Sequence, residues 1–365
     1  MSTPSRGVGF LIALVLVALP AAASWQAAEL IYIPAVAETE GAGDSEWRTD
    51  LYITNMDDVD IDVAMVYLPS GLVDNGFRFS DRSTWLGPRE DQGFGWVNEE
   101  LADIPPSGTV VLRDVVGEYW LEESGTNGLG AMIIFAYEAG TLEDDGSRVD
   151  AIAVANARVF NDTIVWLPDP DGHGFISRDA SFGQIMPGVA WYNLADPAAV
   201  TEEVDYSYMV LVAGEQNPEY RFNLGVLNGS DPQTTITIAI QPFQPNGEPY
   251  LDEDGDELIS FQVVPPLAHL QFFRIFNAAW GLELVEPSMV KVSFVAWTSN
   301  NPDPVPAFVT YGSLINDALG DPNTIMGSFA MPYDVECVWP NAGESAGTIP
   351  PSQRRAKYPV EFPPR

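Results

Sequence analysis

Carboxylates dominate the side chains that could do chemistry. The 365-residue chain holds 52 Asp and Glu against 16 Lys and Arg, for a formal net charge of −36. Their densest run, Asp252-Glu253-Asp254-Gly255-Asp256-Glu257, sets carboxylates at alternating positions around a glycine. Calcium takes six to eight oxygen ligands, and such a loop can offer several at once. Asp252, Asp254, Asp256 and Glu257 are therefore the candidate metal ligands, and calcium is the one candidate cofactor. The register is not that of an EF-hand loop, which needs Gly at its sixth position, where Glu257 stands. Asp169-Pro170-Asp171-Gly172 and Glu143-Asp144-Asp145-Gly146 are shorter versions. Hairpin turns alone also favour Asp and Gly, so the same letters arise without a metal.

Aromatic side chains are the second candidate. Between Leu72 and Glu100 lie Phe77, Phe79, Trp85, Phe94 and Trp96, set among glycines and charges. Loop-borne aromatic faces stack on sugar rings, which makes Trp85, Phe94 and Trp96 candidate ligand-binding residues. The favoured competing reading is that they pack this segment onto its own domain, because a long insertion needs a core of its own to stay ordered.

Nucleophilic and metal chemistry find little else. Gly-x-Ser-x-Gly occurs once, as Gly343-Glu344-Ser345-Ala346-Gly347, inside the proline-rich tail and not between a strand pattern and a helix pattern, the context a nucleophile elbow needs. His173 and His269 are the only histidines and Cys337 the only cysteine, too few for the usual zinc or transition-metal sets. Carboxylate pairs for glycoside hydrolysis are always available among so many acids and carry no information. Cys337 rules out an internal disulfide. Disulfide dimerisation through it is one expectation and a free thiol the other.

The elements that must position these groups are strands. Leu51-Tyr52-Ile53, Val59 to Tyr67, Met132 to Tyr137 and Ile152 to Val159 alternate with period two between Gly, Pro, Asn and Asp. Only Val115 to Leu121 and Ile275 to Leu284 suggest short helical corners.

The pattern occurs twice. Glu46-Trp47-Arg48-Thr49-Asp50-Leu51 matches Glu219-Tyr220-Arg221-Phe222-Asn223-Leu224, and the match runs to Asn55 and Asn228 at a spacing of 173 (219 − 46). Pro105-Pro106 matches Pro265-Pro266, and Trp120 matches Trp280, at 160 (265 − 105). At that spacing His269 aligns with Thr109 inside a strand, which gives it a structural reading. Asn161-Asp162 matches Asn316-Asp317 at 155 (316 − 161).

The expected fold is all-β, as two tandem antiparallel immunoglobulin-like β-sandwich domains. Domain one spans 29–168 with an insertion at 72–100, a linker spans 169–202, domain two spans 203–332, and a proline-rich tail spans 333–365. The tail ends in Arg354, Arg355, Lys357 and Arg365, so it is expected to lie back on the acidic body.

Arg6, an apolar run from Val8 to Leu19, Pro20 and Ala21-Ala22-Ala23 read as a signal peptide at 1–23, too short to span a bilayer. The expected location is secreted, either extracellular or periplasmic, without a membrane span. The acidic surface disfavours nucleic acid and anionic lipid as partners.

The stretch IPAVAETEGAGDSEWRTDLYITN, its following YLPSG, and the second copy's EYRFNLGVLN and NDALGDPNTI resemble a tandem β-sandwich repeat of uncharacterised secreted bacterial proteins with a WRTDL…N pattern. The resemblance implies a fold and a location and no activity. The functional expectation is an exported, non-enzymatic surface, adhesive or scaffold module whose partner is polysaccharide or another surface protein. The alternative is a carbohydrate-binding protein that uses the domain-one insertion, and the third reading is a glycan-cleaving enzyme.

Overall fold

The computed structural model describes residues 26–40, 46–124, 128–168, 175–197, 207–317, 322–327 and 359–365. The signal-like segment, His173, the Asp169 turn and Cys337 lie outside them. No helix among the described residues is long and apolar enough to cross a membrane.

The chain is mostly strand, almost all of it antiparallel. In the first half these are β1 (Leu30–Glu40), β2 (Glu46–Asn55), β3 (Ile61–Pro69), β4 (Trp85–Gly87), β5 (Trp96–Val97), β6 (Thr109–Leu112), β7 (Gly128–Glu138), β8 (Ala153–Pro168), β9 (Phe175–Pro187) and β10 (Val189–Ala190), with helices α1 (Gly76–Ser80) and α2 (Val115–Ser124). The second half holds β11 (Tyr208–Gln216), β12 (Tyr220–Asn228), β13 (Thr234–Pro242), β14 (Ser260–Val264), β15 (His269–Phe272), β16 (Val285–Ser299), β17 (Phe308–Asn316) and β18 (Pro322–Met326), with α3 (Ile275–Trp280).

The same pairing order recurs. β6-β2-β8-β9 in the first half matches β15-β12-β17-β18 in the second, and β1-β7-β3-β4 matches β11-β16-β13-β14. Register agrees to the residue: Trp47 pairs with Asn161, and their counterparts Tyr220 and Asn316 pair as well. One difference is that β1 ends on β2, which joins the first half's strands into one sheet. Its register slips between Ile33 and Val36, where Pro34 has no amide to give to a ladder.

The repeated asparagines now have a physical reason. Asn55, fully buried, donates its side-chain amide to the carbonyls of Val59 and Ile104, while its oxygen accepts from the Asp57 amide. Asn228 donates to Thr234, Val264 and Pro265 and accepts from Ser230. Each thus ties the end of a central strand to the backbone of its neighbouring loops, with Ile104 O and Pro265 O accepting a backbone amide as well. Before each corner helix, a strand side chain receives the amide of a residue with positive φ. Asp50 accepts from Asp114 (φ 46°), and Asn223 accepts from Arg274 (φ 49°).

The insertion lies against the first half. Its buried Asp62 anchor accepts two hydrogen bonds from Arg89 at 3.1 Å and one each from the amides of Asp103 and Gly140. The expected linker is different: β9 pairs with β8 along its whole length and β10 pairs with β1. Ser, Asp, Gly and Gln between Phe175 and Pro187 break the apolar alternation that would have announced a strand.

The halves meet at a seam. The His269 carbonyl accepts from the Gly71 amide at 2.8 Å and the Ser70 hydroxyl at 3.1 Å. The Asn75 side chain donates to Leu267 O at 3.0 Å, its amide donates to Pro266 O at 3.0 Å, and the Tyr32 hydroxyl donates to Gly229 O at 3.2 Å. Buried apolar residues of both halves form one continuous core.

Replacing Asn228 takes a buried donor from Thr234 O and Val264 O, at about 1–3 kcal/mol apiece, while Pro265 O keeps the Ala268 amide. Asn228→Ala should therefore lower stability by about 3 kcal/mol or more in chemical denaturation. The exposed turn variant Asn246→Ala should shift it by less than about 0.5 kcal/mol. Equal effects from the two would contradict this role for the corner.

Candidate functional site

A cleft of about 270 Å³ opens at the seam. One wall comes from Val36, Trp47 and Leu129 of the first half, and the other from Asn223, Gln271 and Phe273 of the second. Alternation decides these positions, since side chains two apart on a strand share a face. Pockets at such junctions, apolar with a few placed polar groups, are the usual form of a ligand site.

Its polar groups are held firmly. The Arg221 guanidinium, which also lines the cleft, pairs with Asp317, and Arg274 binds the same carboxylate at 2.7 Å. Ser313 donates its hydroxyl to Gln184 Oε1 across the seam at 3.1 Å.

His269 is fully buried and stacks on Tyr311 with ring planes 4° apart, and its Nε2 lies 2.8 Å from the Tyr311 hydroxyl. Nδ1 has no partner among the described residues. Burial pulls the imidazole down to about 3 and pushes the Tyr311 phenol up. Both are therefore neutral at physiological pH, and they serve as fixed dipoles rather than as proton carriers. The strand placement agrees with the reading from Thr109, since β6 and β15 begin at these two residues.

A second group lies elsewhere. The half-buried Glu38 carboxyl is pushed up to about 8, first by burial and next by its hydrogen bond and charge contact with Asp114, against the pull of Arg48. Arg48 itself binds Glu46 at 2.7 Å. A carboxyl pair in direct hydrogen-bond contact leaves no room for a sugar. Glycoside hydrolysis needs its two carboxyls separated by roughly 5 Å or more.

Sequence-expected residues fall as follows. Trp85 is completely buried, donates its indole N–H to Phe79 O at 3.0 Å and packs on Phe135. Phe94 is buried against Phe362, and Trp96 is half-buried against Trp120. The sugar platform is therefore corrected for Trp85 and Phe94, while Trp96 keeps part of its surface open. A buried ring has no face to offer, and the insertion uses its aromatics as its own core. Phe77 is the exception, largely exposed.

In the Asp252 loop, Asp252 Oδ1 accepts the amides of Asp254 and Asp256, and Glu257 accepts from Gln241 at 2.7 Å. Asp252, Asp254, Asp256 and Glu257 do not converge, and among the described residues no three His, Cys, Asp or Glu side chains are grouped to hold a metal. In this arrangement the loop is a hairpin turn closed by its first carboxylate. The cleft is not legible in the sequence because its residues come from eight separated strands.

Glu38 also makes a statement about stability. Its carboxyl holds its proton to about pH 8 when folded but only to about 4.5 when unfolded. The folded state therefore binds the extra proton in that window, and stability from this group falls as pH rises through it. Glu38→Gln removes the loss, so its melting temperature relative to wild type should climb between pH 5 and pH 8.5. Parallel melting curves across that range would contradict the assignment.

Comparison of the chain with protein-family models, with curated proteins and with solved structures gave no match.

Proposed function

We propose that this is an exported, non-enzymatic protein of two tandem immunoglobulin-like sandwich units. It serves as a surface, adhesive or scaffold module that grips polysaccharide through the cleft at the seam. The carrying observation is the cleft itself, with Trp47 and Phe273 beside the amides of Asn223 and Gln271. Aromatic faces and fixed amides are the groups that hold an uncharged sugar ring, and a net charge of −36 favours an uncharged ligand over an anionic one. The matched pairing order of the two sheet sets supports the tandem reading. The carbohydrate alternative thus moves from the insertion to the seam. The buried His269 and the Ser313 hydroxyl, engaged with Gln184, give no nucleophile with a base beside it.

Gln271 is half-buried on the cleft wall, so Gln271→Trp should fill the space without touching the core. Wild type should be retained on insoluble polysaccharide or cell-wall material. The variant should lose about tenfold in affinity, roughly 1.4 kcal/mol, with its melting temperature unchanged. Equal retention would remove the cleft as the site, and release of reducing sugar by wild type would overturn the non-enzymatic reading.

A further inference from the structure

The last residues of the chain form a bound peptide. Pro359, Val360, Phe362 and Pro363 are buried, although they sit outside both strand sets. The Phe362 ring lies 5.1 Å from those of Trp85 and Phe135, with Tyr137 and Phe94 around it. The guanidinium carbons of Arg82 and Arg148 stand 4.9 and 5.2 Å from its centroid. Buried Arg82 donates from Nε to the Pro363 carbonyl at 2.7 Å. Arg365 donates its backbone amide to Asp144 O at 2.6 Å and a guanidinium proton to Asp91 O at 2.9 Å.

This is a full recognition set: an aromatic anchor in a desolvated cage, a backbone acceptor fixed by a buried cation, and a basic residue on an acidic rim. Buried aromatic anchors of this kind dominate the energetics of peptide interfaces.

Nothing in that set depends on the segment belonging to the same chain. Residues 328–358, 31 in number, separate it from the end of the second half. Such a length can reach up to about 100 Å when extended, enough to serve a neighbouring molecule as well as its own. Contacts that close within a chain through a long connection can be exchanged between copies at little cost.

We propose that the Trp85–Phe135 cage is a docking site for the Pro359–Arg365 segment of a second copy, so that neighbouring molecules link by exchanging C-terminal segments. Closure within one chain dominates in dilute solution, where the tether sets a high effective concentration. Linkage between copies takes over where molecules are crowded. This inference does not rest on the seam cleft.

The test uses full-length chains. Phe362→Ala has an intact cage and an inactive segment, whereas Arg82→Ala has a damaged cage and an intact segment. Each alone should sediment as a monomer, and an equimolar mixture should contain a 1:1 complex. A labelled peptide of sequence Pro-Val-Glu-Phe-Pro-Pro-Arg should bind Phe362→Ala at least tenfold more tightly than wild type, whose cage is already filled. The same peptide with Ala in place of Phe should not bind. If Phe362→Ala does not fold, Phe362→Leu keeps most of the volume and replaces it. Monomers only in the mixture, with both variants melting as folded proteins, would overturn the proposal. So would failure of the peptide to bind the Phe362 variant.

Discussion

The His269 carbonyl accepts from the Gly71 amide and the Ser70 hydroxyl, and this small junction governs how the two halves sit together. β15 is the edge strand of its sheet, and an edge presents backbone groups that must find partners or water. Here the first half supplies the partners, and Asn75 does the same for Pro266 and Leu267 one turn earlier. Once these groups are dry and paired, the apolar residues behind them join into one core. The cleft is the gap left between two twisted sheets fixed at this edge. Its position, and the burial of His269 and Tyr311 beside it, follow from the junction.

The two copies handle the same problem differently on their outer faces. In the first half, the face of β3 and β7 bearing Asp62, Val66 and Phe135 is covered by the insertion and by Phe362. In the second half the segment between β13 and β14 does not cover the corresponding face, and Phe261 and Val263 of β14 stand more than half exposed. The aromatics of 72–100 are thus explained by what the first half must cover.

The strands at Leu51, Val59, Met132 and Ile152, the two corner helices and the internal repeat are legible in the sequence, because period-two alternation and repeated Asn, Pro and Trp are local signals. Trp47, Asn55, Trp120 and Asn161 recur at structurally equivalent places in the second half. What escaped depends on distant contacts. β9 carries too many small and polar residues to alternate visibly, so it read as a linker. Trp85 and Phe94 have the same letters whether they line a sugar site or a core, and only their partner Phe362, more than 260 residues away (362 − 94 = 268), decides between the two. Turn-forming Asp and calcium-binding Asp likewise differ only in where the oxygens point, and the Asp252 carboxylate points to its own backbone amides.

The seam makes the two halves one body. Differential scanning calorimetry of the full chain tests this directly, because independent units melt separately whereas a shared core melts once. A single transition whose calorimetric and van't Hoff enthalpies agree is the predicted result, and Asn75→Ala should split or broaden it. Two resolved transitions in the wild type, each with the enthalpy of one half, would contradict it.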